Sequence, residues 1–318
     1  MKIGVLGAGW WGKNIINTFE HIPEIEEVHY FDPDSKVQEK FILNKKSIFH
    51  TSIDSIIYNI DIQGLCIATP PSNHFELTEK ALLSGKHVFV EKPPAFKATD
   101  IKKLGEIADA KRLVYMLDAL FLFLEPIKKL KEILTSGLLQ DIRYVEMYRI
   151  GDELRREGAG LERIQKTMFH NHTDVIEDLF FHDAGILLSL LPNLKYKEIK
   201  KEYFYNSTLC DTARIEFISN SFPVILTLSW VLTGRKRGLS IYDKNYIVEY
   251  NGLASENQII IHDLKKNNKE ELTFSNRPPL QSILEFFIRA IQNLEINHIN
   301  YNFMGTIINY WEEIRNAN

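Results

Sequence analysis

This chain predicts an α/β fold in two parts, and three observations predict it. A glycine-rich turn, Gly7-Ala8-Gly9-Trp10-Trp11-Gly12, sits directly behind the apolar run Lys2-Ile3-Gly4-Val5-Leu6. Short apolar strands then alternate with helical patterns as far as residue 118, which argues for a parallel, doubly wound sheet. Beyond that point strand-like runs follow one another with turn signals between them, as in a large, mainly antiparallel sheet. The change of character divides the chain into domains at 1–118 and 119–318, with the final helices able to pack back on the first domain.

The glycine turn opens a helix, because Ile15, Ile16 and Phe19 recur behind it at helical spacing. In a G-x-G-x-x-G turn the first glycine permits the tight bend and the second lets a pyrophosphate approach the backbone. The third lets helix and strand pack closely. The helix start then offers free N–H groups to phosphate. Val28-His29-Tyr30-Phe31-Asp32 reads as the second strand and ends in a carboxylate twenty positions past Gly12. Such an acid accepts hydrogen bonds from the adenosine ribose and repels a 2′-phosphate. Pro33, rather than Arg, follows it. These features describe a Rossmann dinucleotide-binding domain that takes NAD rather than NADP. The plainer reading of Asp32 is a turn residue before Pro33.

Further strands are expected at 64–69, 87–91 and 113–117, and helices at 74–83 and 101–110. In such sheets ligands bind at the carboxyl ends of the strands, where Thr69-Pro70-Pro71 and Glu91-Lys92-Pro93 fall. In the second domain a helix is expected at 125–134, a strand at 142–150, a polar loop at 151–166 and a partly buried helix at 177–191. Strands follow at 197–205, 212–218, 224–231, 237–242, 246–250 and 258–262, then helices at 280–294 and 303–314. Helices can cover one face of that sheet. Ile225, Leu226, Leu228 and Trp230 make the strands too apolar for the other face to stand bare, so a homodimer or homotetramer through the C-terminal sheet is expected.

Composition narrows the function. A net charge of −4 gives no reason to expect nucleic acid or an anionic membrane as partner. No apolar run is long enough to span a bilayer. Cys66 and Cys210 read as reduced thiols of a cytoplasmic protein. No metal spacing is present; His170, His172 and Asp174 resemble a cluster in composition alone and read better as a polar loop.

Two constellations carry chemistry. Lys92 ends a parallel strand on the cofactor side, where an ammonium can stabilise a developing alkoxide. Pro93 restricts its backbone, and that X-Pro bond is a candidate for cis. A surface lysine at a strand end is the competing reading. Asp178 and His182 are four apart on a helix and share a face, so the acid can orient the imidazole. A capping acid and a core histidine would give the same pattern.

Gly7–Gly12, Ala68-Thr69-Pro70-Pro71-Ser72-Asn73-His74, Glu91-Lys92-Pro93 and Asp178…His182 together resemble the glucose–fructose oxidoreductase / inositol dehydrogenase (Gfo/Idh/MocA) family. Trp10-Trp11-Gly12-Lys13-Asn14 and Leu228-Ser229-Trp230, followed by Arg235, Lys236 and Arg237, resemble its bacterial members that act on UDP- or dTDP-sugars in surface polysaccharide synthesis. The resemblance implies a Rossmann domain, then an open-faced α/β domain, and an NAD-dependent enzyme moving hydride to or from a sugar carbon. It implies that Lys92 hydrogen-bonds the reacting oxygen and that His182 moves the proton with Asp178 beside it. It also implies that Pro71 and His74 line the nicotinamide side. This chain departs from the pattern at Asp118-Ala119, at Phe123-Leu124 and at Phe180, changes expected to make the pocket drier and tighter. Two other readings remain open: a non-catalytic NAD-binding sensor, and a reductase of a non-sugar carbonyl.

Overall fold

The computed structural model describes residues 1–40, 46–151, 174–204, 208–253, 258–275, 278–293 and 301–317. The polar loop expected beyond Gly151, with His170 and His172, lies outside them. The chain forms two compact units: Met1–Leu120 with Arg277–Asn309, and Phe121–Asn276 with Tyr310–Asn318.

The first unit is built on six parallel strands: β1 (Lys2–Leu6), β2 (Glu27–Phe31), β3 (Ser47–His50), β4 (Ile62–Ile67), β5 (His87–Val90) and β6 (Tyr115–Leu117). Their order is β3-β2-β1-β4-β5-β6, so the winding reverses beside β1. β1, β4 and β5 are covered on both faces, which is why their sequences are continuously apolar rather than alternating. Helices α1 (Trp10–Glu20), α2 (Asp54–Ile57), α3 (His74–Leu83) and α4 (Ala98–Lys111) make the crossovers. α7 (Pro279–Asn293) also belongs to this unit, and its Phe287 ring lies 5.8 Å from that of Phe89. β3 and α2 are too short and too mixed in polarity to show a periodicity, and the sequence gives no sign of them.

The strand ends fix the site. Gly7, at φ +91°, leaves β1 with no room for a side chain: a Cβ there would lie 2.5 Å from the Ala68 carbonyl oxygen. A Cβ on Gly12 would lie 2.0 Å from the Gly7 oxygen, so α1 can start this close to β1 only with glycine at both places.

The second unit carries α5 (Glu125–Thr135), α6 (Val175–Leu190) and eight strands. These are β7 (Ile142–Ile150), β8 (Leu194–Glu202), β9 (Thr212–Ser219), β10 (Phe222–Ser229), β11 (Lys236–Asp243), β12 (Tyr246–Asn251), β13 (Gln258–Asp263) and β14 (Asn268–Leu272). Their order is β14-β13-β12-β11-β7-β10-β9-β8, antiparallel except where β10 runs beside β7. Val145, Met147, Ile215, Phe217, Val224, Leu226, Leu228, Leu239 and Ile241 are buried on one face, with Phe180, Ala184 and Leu187 of α6 also in the core. β14, Asn268-Lys269-Glu270-Glu271-Leu272, is a polar edge strand that hydropathy could not reveal.

Within the apolar run of β10, Leu226 and Leu228 are taken up by this core, and Ile225 is only 5% exposed within the chain itself. The alternate positions of the sheet present Tyr144, Glu146, Tyr148, Tyr242 and Glu249, all half-buried. Cys66 and Cys210 are free and buried, and burial pushes the Cys210 thiol up to about 11. Among the described residues no helix is long and apolar enough to cross a membrane, and no group of ligating side chains could hold a metal. The last helix, α8 (Tyr301–Asn316), contains the division between the two units.

Candidate functional site

The carboxyl edge of the first sheet gathers the glycine turn, Asp32, Thr69-Pro70-Pro71, Glu91, Lys92 and Asp118. Gly9 is exposed, and a Cβ there would meet nothing within 4 Å, so the backbone at the start of α1 stands open to an approaching phosphate. The Asp32 carboxylate is fastened to this turn: Oδ2 accepts from the Ala8 N–H at 2.7 Å, and Oδ1 from the Asp34 N–H at 2.9 Å. It therefore holds a fixed negative charge beside the open glycine, and the donor set fits a dinucleotide. Trp10 is 80% exposed and stacks on Trp11, with ring centres 5.6 Å apart.

Trp11 turns the other way and donates its indole N–H to Glu91. Glu91 in turn shares a hydrogen bond with Asp118, which is almost fully buried and accepts from the Leu120 N–H at 3.1 Å. Burial first, and then the charge of Asp118, push the Glu91 carboxyl well up, so it keeps its proton and donates it to Asp118. Burial raises Asp118 as well, while the hydrogen bond from Glu91 works against that rise. The Lys92 ammonium also opposes the rise in both acids. Lys92 is half-buried, and the Lys92–Pro93 bond is cis.

His74 holds a different place from the one the resemblance implies. Its ring is 1% exposed, with Nδ1 2.8 Å from the Pro93 carbonyl and Nε2 2.7 Å from that of Thr69. The imidazole ties together the loops after β4 and β5, which positions Pro71 and Lys92 from beneath. Pro70 and Pro71 are exposed and Thr69 is half-buried.

In the second unit, Asp174 caps α6 by accepting from the Ile176 and Glu177 N–H groups at 3.0 and 2.9 Å. One turn on, Asp178 accepts from the Trp230 indole at 3.2 Å, which pins its carboxylate at the end of β10. His182, one further turn along, meets the edge of Phe121 at a centroid distance of 4.8 Å. Both expected residues thus lie on one side of α6, and neither is sealed in the core.

Phe180 does not join them. Its ring has no exposed surface and packs against Phe181, because two residues along a helix turn a side chain away from His182. The tightening of the pocket expected from Phe180 is instead core packing. Phe123 lies under Lys128, whose Nζ is 5.7 Å from the ring centre.

Two guanidiniums lie against Phe121: Arg237, which the sequence offered within the basic run Arg235–Arg237, and Arg149, which sequence reasoning missed. The Arg149 guanidinium is 4.9 Å and the Arg237 guanidinium 3.9 Å from the ring centre, and the fully buried Asp183 binds Arg149. Arg235 and Lys236 are exposed, as a solvated turn would be, whereas Arg237 is the second residue of β11 and points inward. The inward direction follows from strand alternation, which the sequence does show once the register is known.

Residues 1–119 match the oxidoreductase family with an NAD-binding Rossmann fold. Among curated proteins, the UDP-N-acetylglucosamine 3-dehydrogenase of Acidithiobacillus ferrooxidans is 25% identical over 197 residues, 60% of this chain and 54% of that protein. An uncharacterised oxidoreductase of Streptococcus pneumoniae is 25% identical over 166 residues, 52% of this chain and 45% of that protein. The chain thus spans about half the length of these curated relatives. The solved Acidithiobacillus enzyme has the same fold across 100% of this chain and 97% of its own, with a TM-score of 0.81 at 20% identity. A 3-ketoreductase from Actinomadura kijaniata, solved with NADP and TDP-benzene, has a TM-score of 0.84 at 14% identity, covering 100% and 97% of the two chains.

Proposed function

We propose that this chain, whose residues 1–119 match the Gfo/Idh/MocA oxidoreductase family, is an NAD(H)-dependent oxidoreductase of a sugar hydroxyl or ketone, the sugar carried on UDP or dTDP. The carboxyl edge of the first sheet carries the reading: an open glycine turn, a fixed Asp32 charge and a lysine braced by a buried acid pair. The Asp32 charge favours NAD over the 2′-phosphorylated cofactor. When bound, the nicotinamide supplies or accepts the hydride. Lys92 then donates a hydrogen bond to the reacting oxygen, and His182 takes or returns the hydroxyl proton, its side of α6 held in place by the Trp230–Asp178 bond. One similar protein is named a UDP-N-acetylglucosamine 3-dehydrogenase and another a 3-ketoreductase, which supports a secondary alcohol or its ketone as the reacting group. In this reading the protein works in the cytoplasm, in surface polysaccharide synthesis, as a homodimer or homotetramer through the C-terminal sheet.

The test is a screen of UDP- and dTDP-sugars with NAD and NADP, followed by the absorbance of the reduced nicotinamide. Lys92→Ala should lower kcat by about 10³-fold while leaving NADH affinity within about twofold of wild type. Unchanged turnover in that variant removes Lys92 from the chemistry. NADH binding with no turnover of any nucleotide sugar leaves a sensor.

A further inference from the structure

Glu91 and Asp118 are the first residues past the paired stretch of β5 and β6, which ends at Val90 and Leu117. Both backbones stay tied to the sheet: the Asp118 N–H donates to the Val90 carbonyl at 2.8 Å and the Glu91 N–H to that of Ile67 at 3.0 Å. Parallel register therefore sets two carboxyls side by side, and Asp118 is only 1% exposed. Two negative charges so placed cannot both persist, so the pair keeps a proton. The donors around it say where that proton lies. The Trp11 indole donates to Glu91 Oε1 and the Leu120 N–H to Asp118 Oδ1. Asp118 Oδ2 is buried, and among the described residues no N–H or hydroxyl reaches it. A proton on Glu91 Oε2 supplies the missing donor, since a carboxylic acid donates once and still accepts through its other oxygen.

One shared proton leaves one negative charge, and one cation faces it. Lys92 follows Glu91 in the chain, and its ammonium opposes the rise in both acids. The other titratable neighbours bring no negative charge. Cys66 on β4 feels both acids, and burial with their charges pushes its thiol well up. His74 on α3 lies between the carbonyl oxygens of Thr69 and Pro93. A second proton on the acids would strip Lys92 of its counter-charge here, and loss of the first would set two bare anions against each other. The count balances at one.

We propose that Glu91 and Asp118 act as a pair of positioning residues for Lys92, holding between them one proton and the single negative charge that keeps its ammonium in place. Either acid can carry the charge, because each has its own N–H donor. Lys92 then reaches the reacting oxygen as a hydrogen-bond donor rather than as a base, which leaves proton acceptance to another group. That last step rests on the oxidoreductase reading above; the shared charge itself does not.

Isosteric amides test this in the full chain without dinucleotide. In Glu91→Gln the amide N–H replaces the shared proton and Asp118 keeps the charge. In Asp118→Asn the charge passes to Glu91. Only the double variant is neutral. Trace acetylation at about pH 8, with the Lys92 peptide followed by mass spectrometry, reads how much of that lysine is free amine. Each single variant should label within about twofold of wild type, and the double variant about tenfold faster or more, because an ammonium that loses its buried counter-charge gives up its proton more readily. A packing role alone would make the two single effects add. A double variant that labels like wild type, or a single variant that labels like the double, overturns the proposal. If circular dichroism shows the double variant unfolded, infrared spectra decide. Wild type at neutral pH should show the carbonyl band of a protonated carboxyl that Glu91→Gln lacks, and identical bands overturn the pair. Labelling as expected with no turnover of any nucleotide sugar upholds the shared charge and removes the oxidoreductase reading instead.

Discussion

Two clusters of buried like charge, one in each unit, meet the same electrostatic problem with opposite means. In the first unit Glu91 and Asp118 lie against each other with Trp11 above them, and the pair relieves its repulsion by keeping a proton. Carboxyls can do so because their ordinary pKa lies only a few units below neutrality. In the second unit Arg149 and Arg237 have no such recourse, since a guanidinium keeps its proton throughout the physiological range. They need a counter-ion, and Asp183 supplies one where two would be required. The acid pair is thus electrically closed, and its charge is set by pH. In the arginine pair Asp183 takes one guanidinium and the other rests on the Phe121 ring.

The comparison breaks most readily at Asp183. Asp183→Ala leaves both arginines buried without a carboxylate and should cost about 3–5 kcal/mol in urea unfolding. A loss under about 1 kcal/mol would mean that the arginines are solvated and the second cluster is not charge-stressed. The acid pair gives a pH signature with the opposite sense to acid denaturation. A carboxyl whose pKa rises on folding contributes stability that is fully present below its unfolded pKa and is lost as pH rises through the folded value. In thermal melts without dinucleotide, wild type should therefore lose stability as pH rises above the ordinary carboxylate range, and Glu91→Gln should flatten that slope. Parallel curves for the two proteins would show that no proton is shared. The smallest effect is expected at Trp230→Phe, which removes the donor to Asp178 and should cost about 1 kcal/mol in unfolding. In the turnover assay it should also shift the pH profile assigned to His182. A stability loss with an unmoved profile would make Trp230 a packing residue only.

Motifs confined to a strand end and the next turn were legible in the sequence. Gly7–Gly12, Asp32, Thr69-Pro70-Pro71 and Lys92 could all be placed on one edge of a parallel sheet, because each follows a short apolar run and the topology then aligns them. The i,i+4 relation of Asp178 and His182 was also readable, as it depends on helix geometry alone. Asp118 was not. It reads as a domain boundary until β5 and β6 pair and bring it against Glu91, twenty-seven positions away. His74 looked like a ligand-facing residue because both of its partners are backbone carbonyls, which no side-chain pattern announces.

The sequence by itself determined the two-part α/β organisation, the dinucleotide cradle and the candidate lysine and histidine, since local spacing and apolar periodicity specify each. Tertiary structure alone decided which charges meet. The ladder between β7 and β11 set Arg149 opposite Arg237, α6 placed Asp183 beneath one of them, and Phe121 came between that cluster and His182. Coulomb energy depends on distance through space and on burial, and neither quantity is written in separation along the chain.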